Sequence, residues 1–179
     1  LWLPHMPAEW GGMGLGPTAM SAVSAEAAKV SIGPFVLNAQ APDEGNQHTL
    51  LHWATDEQKE IYTMGYEQIQ NNMKLLKPGV TFKELTLNAK EYSKQEFRHY
   101  SVLFHGVGLC DEFPAIPFSW ELNENSFDGV LQPGMVLCVE TYVGRFSGGP
   151  GVKLEEQVLV TEGGYELLTS YPFETDLLI

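Results

Sequence analysis

A chain of 179 residues can form one ordinary domain or two small ones, and its 44% hydrophobic content is that of a core former, not of a disordered tail. Ten Lys and Arg against 23 Asp and Glu give a net charge of −13, which repels phosphate backbones and anionic membrane surfaces, so nucleic acid is not an expected partner. The two cysteines, Cys110 and Cys138, form no CxxC pair and are too few for a disulfide scaffold; a reducing cytoplasm is the expected compartment, and no disulfide is expected.

The chain opens at Leu1 with no basic segment leading into an apolar one, so no signal peptide is read, and the true start can lie upstream. Residues 1–17 are rich in Gly, Pro and Trp and read as loop. Thr18–Val30 is Ala-rich and predicts a helix that Gly33-Pro34 stops. A second loop around Ala41–Gly45 leads to another expected helix near His48–Ala54, and nothing here alternates as a strand does. The first third therefore reads as all-α.

From Thr55 the pattern changes. Thr55 or Asp56 suits an N-cap, and Tyr62, Tyr66, Ile69, Met73 and Leu76 then recur at steps of three and four, predicting one long amphipathic helix that Pro78-Gly79 ends. Phe82–Phe97 predicts a second helix with Leu85 and Ala89 turned inward. After Arg98 strands are expected, chiefly Val136–Val143 and Gln157–Thr161, with a turn at Gln132-Pro133-Gly134 and a loop over Gly144–Gly151. The apolar run Met135–Val139 is too short to cross a bilayer and runs into Glu140, so no membrane association is expected. Helices followed by strands give the class α+β.

Two family resemblances meet within this order. Leu3–Gly12, Gln40–Asn46 and Leu50–Trp53 resemble part of the N-terminal helical domain of acyl-CoA dehydrogenases. The flavin-binding middle domain and catalytic carboxylate of that family lie beyond the part represented, so FAD is not an expected cofactor. Met73–Phe82 and everything after it resemble the catalytic half of the pita-bread (creatinase/aminopeptidase-like, M24) enzymes. The expected organisation is thus a dehydrogenase-like helical fragment over residues 1–56, then the C-terminal part of a metal-binding pita-bread domain over residues 57–179. Thr55–Glu60 suits either family and is the expected join of a chimera or fusion.

The resemblance also implies a site. His105, heading His-Gly-Val-Gly-Leu-Cys-Asp-Glu, Glu140, ending Pro133–Glu140, and Glu155, within Val152–Thr161, match three metal-ligand motifs in family order. One imidazole and two carboxylates suit a divalent first-row ion: iron, zinc, manganese or cobalt. Glu140 also interrupts an apolar strand, where a buried carboxylate needs a cation or a proton. For the third ligand the residues alone leave a choice, because Leu154, Val158 and Val160 share alternation parity with Glu156; only the resemblance selects Glu155. Glycines beside His105 are expected to let the backbone pass close to the site. The family centre further uses two aspartates from strands preceding the long helix, and neither Asp43 nor Asp56 matches them. One ion or fewer per chain is therefore expected.

Family peptidases resemble HGxGxxxH, whose second histidine helps to polarise a peptide carbonyl, and here that position is Glu112, an acceptor only when ionised. The motif as it stands, with Tyr100 five residues earlier, resembles that of dimethylsulfoniopropionate lyases of this fold. That resemblance implies a small carboxylate substrate and Asp111 as the base for its α-proton. An aromatic face, Tyr100 first and Trp120 second, is expected to hold the sulfonium cation. Cys110 reads as a small buried hydrophobe. The competing readings are an Xaa-Pro-type metallopeptidase and a non-catalytic dehydrogenase-like chimera. A homodimer is the expected assembly.

Overall fold

The computed structural model describes residues 4–8, 12–30, 33, 54–100, 102–109, 112–170 and 172–179. The chain divides into two compact units, Leu1–Thr55 with Tyr171–Leu178, and Asp56–Ser170 with Ile179. In the first, helix α1 (Pro17–Ala27) carries Pro17 at its first turn, where the missing N–H costs nothing, and buries none of its residues. It begins one residue before the expected Thr18 and gives way to a turn over Ala28–Lys29. A short 3₁₀ turn, Thr175–Leu177, buries Leu177 in the same unit. The helix expected near His48–Ala54 lies outside the described residues except for Ala54, which is not helical.

The second unit opens with α2 (Asp56–Met73). Tyr62, Ile69 and Met73 are buried as the periodicity requires, and so is Leu76 just beyond the helix end. Tyr66 is only half-buried, while Gly65, Gln68 and Asn72 join the buried stripe. A Cβ on Gly65 would stand 3.0 Å from Val152 Cγ1 and 3.3 Å from Leu154 Cδ1, so the glycine lets this helix lie close on the sheet. The two buried amides are spent on the next segment. Asn72 Oδ1 accepts the Lys90 N–H at 2.7 Å, Gln68 Nε2 donates to the Lys90 carbonyl at 2.8 Å, and the Thr141 hydroxyl donates to Gln68 Oε1.

Those bonds explain why the second expected helix is short. Helix α3 runs only over Phe82–Asn88, opened by a capping box in which Thr81 and Glu84 satisfy each other's backbone N–H groups. Leu85 is fully buried, but Ala89 has already left the helix with ψ 143°. Lys90 is held by α2, and Phe97 pairs as a strand, so residues 89–97 cannot continue the helix that their sequence permits.

Among the described residues six antiparallel strands follow: β1 (Phe97–Arg98), β2 (Phe104–Gly106), β3 (Ala115–Ile116), β4 (Val136–Arg145), β5 (Gly151–Thr161) and β6 (Gly164–Leu167). The sheet runs β3-β2-β4-β5-β6, and β1 pairs with the far end of β4. The two expected strands are the core of β4 and β5, whose hairpin is longer than the sequence indicated. Helix α2 packs on β4 and β5, and Ile61, Phe97 and Val143 form a core there with Met64, Tyr92 and Val152. No helix among the described residues is long and apolar enough to cross a membrane.

Candidate metal centre

Register decides which side chains meet. His105 on β2 lies opposite Cys138 on β4, and Glu140 lies opposite Glu155 on β5. Because side chains alternate along a strand, His105, Cys138, Glu140, Glu155 and Lys153 share one face. Phe104, Val139, Thr141, Val143, Glu156 and Val158 share the other, which α2 covers. The parity that tied Glu156 to Leu154, Val158 and Val160 was a true signal of burial: Glu156 is buried and accepts a hydrogen bond from the Thr169 hydroxyl at 2.8 Å. Glu155 stands on the opposite, less covered face, with His105 and Glu140.

On that face the imidazole of His105 approaches one oxygen of each carboxylate. His105 Nε2 is 3.6 Å from Glu140 Oε2 and 3.5 Å from Glu155 Oε1. The His105 ring is buried, and its Nδ1 lies 3.0 Å from the Gly106 carbonyl. A carbonyl can only accept, so that contact orients the ring through Nδ1–H and turns Nε2 towards the two carboxylates, the arrangement in which a ligating imidazole is oriented by its second nitrogen. Two donors about 2.1 Å from one ion at the tetrahedral angle stand about 3.4 Å apart, so each of the two separations fits a cation shared by His105 and that carboxylate. The chemistry of this donor set, one imidazole and two carboxylates, suits a first-row divalent ion.

Two neighbours escaped the sequence reading. Cys138 is buried, and its thiol lies with His105 and Glu155 in one group whose ligand atoms are all within 4.8 Å of each other, a group in which Cys138 stands where the sequence reading put Glu140. Burial, together with its hydrogen bond to the Glu155 carboxylate, pushes the thiol up to about 12, so it stays neutral. Lys153 places its ammonium 2.9 Å from Glu140 Oε1 and 3.3 Å from Glu155 Oε2. Its pKa is raised, chiefly by the contact with Glu140, against the opposing effect of burial. Burial would raise Glu155, yet the Cys138 thiol, Lys153 and His105 together hold it below the usual carboxylate range. Both residues were legible in spacing: Cys138 precedes Glu140 by two positions, and Lys153 precedes Glu155 by two.

The remaining candidates are placed differently. Asp111 and Cys110 lie outside the described residues. Tyr100 is 64% exposed, which removes core packing as its role, and its ring meets Tyr142 edge-on at 6.3 Å. Tyr142 shares the face of Glu140, two residues or about 7 Å further along the strand. Trp120 belongs to another group: it stacks on Phe118 at 4.8 Å, meets His99 at 4.6 Å and carries the Lys94 ammonium 5.5 Å from its ring centre. Gly106 serves the fold and not the site, since a Cβ there would lie 2.3 Å from the Phe113 carbonyl oxygen, whereas one on Gly108 would meet nothing within 4 Å.

Glu156 yields a pH test separate from the centre. Burial raises its carboxyl above the ordinary value while the Thr169 hydroxyl pulls the other way. A raised folded pKa means that the stabilisation from the neutral form is complete below the unfolded pKa and is lost as pH rises through the folded one. Glu156→Gln is neutral throughout and keeps an acceptor for Thr169. It should therefore melt a few degrees above the parent at pH 7, and the gap should close towards pH 3. Melting curves that differ equally at both pH values would contradict this.

Comparison with known proteins bears on the family and the fold. The profile described as metallopeptidase family M24 matches residues 47–162, and that of the acyl-CoA dehydrogenase N-terminal domain matches residues 1–66. A dimethylsulfoniopropionate lyase, DddP, from Roseovarius nubinhibens is 48% identical over 121 residues, 66% of this chain and 27% of the relative. A Xaa-Pro dipeptidase from Pyrococcus horikoshii is 35% identical over 121 residues, 64% of this chain and 31% of the relative. The prolidase from Pyrococcus furiosus superposes with a TM-score of 0.53 at 34% identity, covering 66% of this chain and 34% of that one. The chain thus spans about a third or less of the length of these relatives, and the shared part is a partial pita-bread fold.

Proposed function

Because this chain belongs to metallopeptidase family M24, we propose that residues 57–179 carry a one-ion centre held by His105, Glu140 and Glu155, serving carbon–sulfur lyase chemistry on a small carboxylate. The observation that carries the reading is the approach of His105 Nε2 to one oxygen of each carboxylate, Glu140 Oε2 at 3.6 Å and Glu155 Oε1 at 3.5 Å. Iron, zinc, manganese or cobalt suits this donor set. When bound, the ion would hold the substrate carboxylate and acidify its α-proton.

The chain's own groups supply the rest. Asp111 takes the α-proton, its electron pair forms the new carbon–carbon double bond, and the carbon–sulfur bond breaks. Dimethylsulfoniopropionate would so give acrylate and neutral dimethyl sulfide. The exposed ring of Tyr100 offers a face to the sulfonium cation, whereas Trp120 already holds the Lys94 ammonium. Support for the lyase over a peptidase comes from Glu112, exposed where a peptidase uses histidine, and from the 48% identity to the lyase.

The test is a pair of assays on protein loaded in turn with Fe²⁺, Zn²⁺, Mn²⁺ or Co²⁺. Headspace dimethyl sulfide should rise with dimethylsulfoniopropionate, and Xaa-Pro dipeptides should stay intact. Dipeptide hydrolysis that a chelator abolishes would instead make the chain a metallopeptidase.

A further inference from the structure

The chain has two arginines, Arg98 and Arg145, and the fold uses them differently. Arg145 Nη2 donates to Glu60 Oε1 at 2.8 Å, an ion pair that ties β4 to α2. Arg98 has no ion pair and no side-chain hydrogen bond among the described residues, although the chain carries 23 acidic groups. Its Nε–H is buried without an acceptor, a desolvated donor that costs free energy until one meets it.

Register places Arg98 on the open face of the sheet. It lies opposite Gly144 on β4, and Gly144 lies opposite Gly151 on β5, so this row shares the side of Tyr142, Glu140 and Glu155. Two glycines leave the row without side chains of its own, and its neighbours lie down over it. A Cβ on Gly144 would stand 3.1 Å from Arg98 Nη2 and 3.2 Å from Tyr142 Oη, and one on Gly151 would stand 2.8 Å from the same hydroxyl. A guanidinium N–H and a phenol O–H thus reach one place above a glycine floor, and that hydroxyl has no hydrogen-bond partner among the described residues.

We propose that Arg98 and Tyr142, over Gly144 and Gly151, form an oxyanion subsite that takes a carboxylate or a phosphate group. A planar guanidinium matches the paired oxygens of such groups, stays charged at every physiological pH, and is joined here by the phenol as a further donor. The Tyr142 ring, 5.9 Å from Arg98 Cζ, holds the guanidinium by cation–π attraction, so little side-chain freedom is lost when the anion arrives. The net charge of −13 opposes any anion at long range, so binding here depends on contact hydrogen bonds and not on general attraction. Glu140 is four residues along β4 from Gly144, about 13 Å, which sets the subsite apart from the metal centre. The inference goes beyond the lyase reading and does not depend on a bound ion.

Nitrogen-15 NMR of the whole chain, stripped of metal by a chelator, tests this, because two arginines give two Nε–H signals. Arg98→Gln identifies the Arg98 signal by removing it, and Arg145→Lys gives the same assignment should that variant fail to fold. Sodium phosphate and sodium acetate are titrated at pH 6, with sodium chloride at matched ionic strength as the control. The Arg98 signal should shift saturably with phosphate, acetate or both, while the Arg145 signal follows ionic strength alone. Saturation by phosphate alone would mark a phosphorylated ligand, and saturation by acetate a carboxylate. Tyr142→Phe should weaken the binding at least about tenfold, the usual loss when a hydrogen bond to a charged group goes. No saturable shift with either anion, the same shift with chloride, or unchanged affinity in Tyr142→Phe would overturn the subsite. With no metal present, none of these outcomes bears on the lyase reading.

Discussion

Replacing His105 and Glu140 together by alanine is expected to lower the affinity for Zn²⁺ or Mn²⁺ by roughly a thousandfold or more, leaving less than a tenth of an ion per chain after dialysis. Loss of an outer-shell partner alone typically costs 10–100-fold, and here two of three inner donors go at once. Glu155 remains, but it is partly exposed, and its outer oxygen is engaged by Lys153. A lone surface carboxylate holds a first-row ion weakly. The fold should survive, because the face that α2 covers is untouched and the double change removes a buried charge together with a facing ring. Removing Glu140 frees Lys153 to pair with Glu155 alone, so a modest change in melting temperature is compatible with the assignment. Metal content equal to the parent's, in a variant with the parent's circular dichroism, would sink it.

How far the sequence carried towards this centre depended on which physical signal each residue emitted. The stripe Tyr62, Ile69, Met73 and Leu76 was legible because apolar spacing reports burial directly. Gln68 and Asn72 were not, since an amide at a buried position looks like a surface residue until its partner is known, and Lys90 lies outside their helix. The same pair of bonds cut α3 short, a tertiary cause that local propensity across residues 82–97 does not contain.

The choice between Glu155 and Glu156 shows the limit more sharply. Alternation put Glu156 with the core residues and was right about its burial. A ligand, however, belongs on the face left open for chemistry, so the parity that finds the core points away from the site. Register supplies what parity lacks: Glu155 opposite Glu140, and His105 one strand over, two residues from Glu140 along β4. Once that face is known, Cys138 and Lys153 follow from period-two spacing, and Tyr142 and Tyr100 mark its far end. Trp120 gave no such signal. Its stacking on Phe118 and its cation Lys94 depend on where β3 and the following turn lie, which no local pattern states.

The last expectation separates a base from a ligand. In this chain extended upstream of Asp56 by the two aspartate-bearing strands of a dimethylsulfoniopropionate lyase, Asp111→Asn should cut dimethyl sulfide release by about 10²–10⁴-fold, the usual contribution of a positioned general base. Metal content should not change. The amide keeps the shape of the carboxylate but cannot take a proton at neutral pH, so it removes the base without opening a cavity. Asp111 follows His105 by six residues, and the proposed donor set is His105, Glu140 and Glu155 without it, which is why a base and not a fourth ligand is expected here. Loss of the ion along with activity would make Asp111 a ligand. A variant keeping more than about a tenth of the parent rate would exclude the base role, because the loss would fall well short of the 10²–10⁴-fold that a general base typically contributes. The pH profile gives an independent reading: the acidic limb of the rate, set by protonation of the Asp111 carboxylate, should be present in the parent and absent from whatever rate the asparagine variant retains.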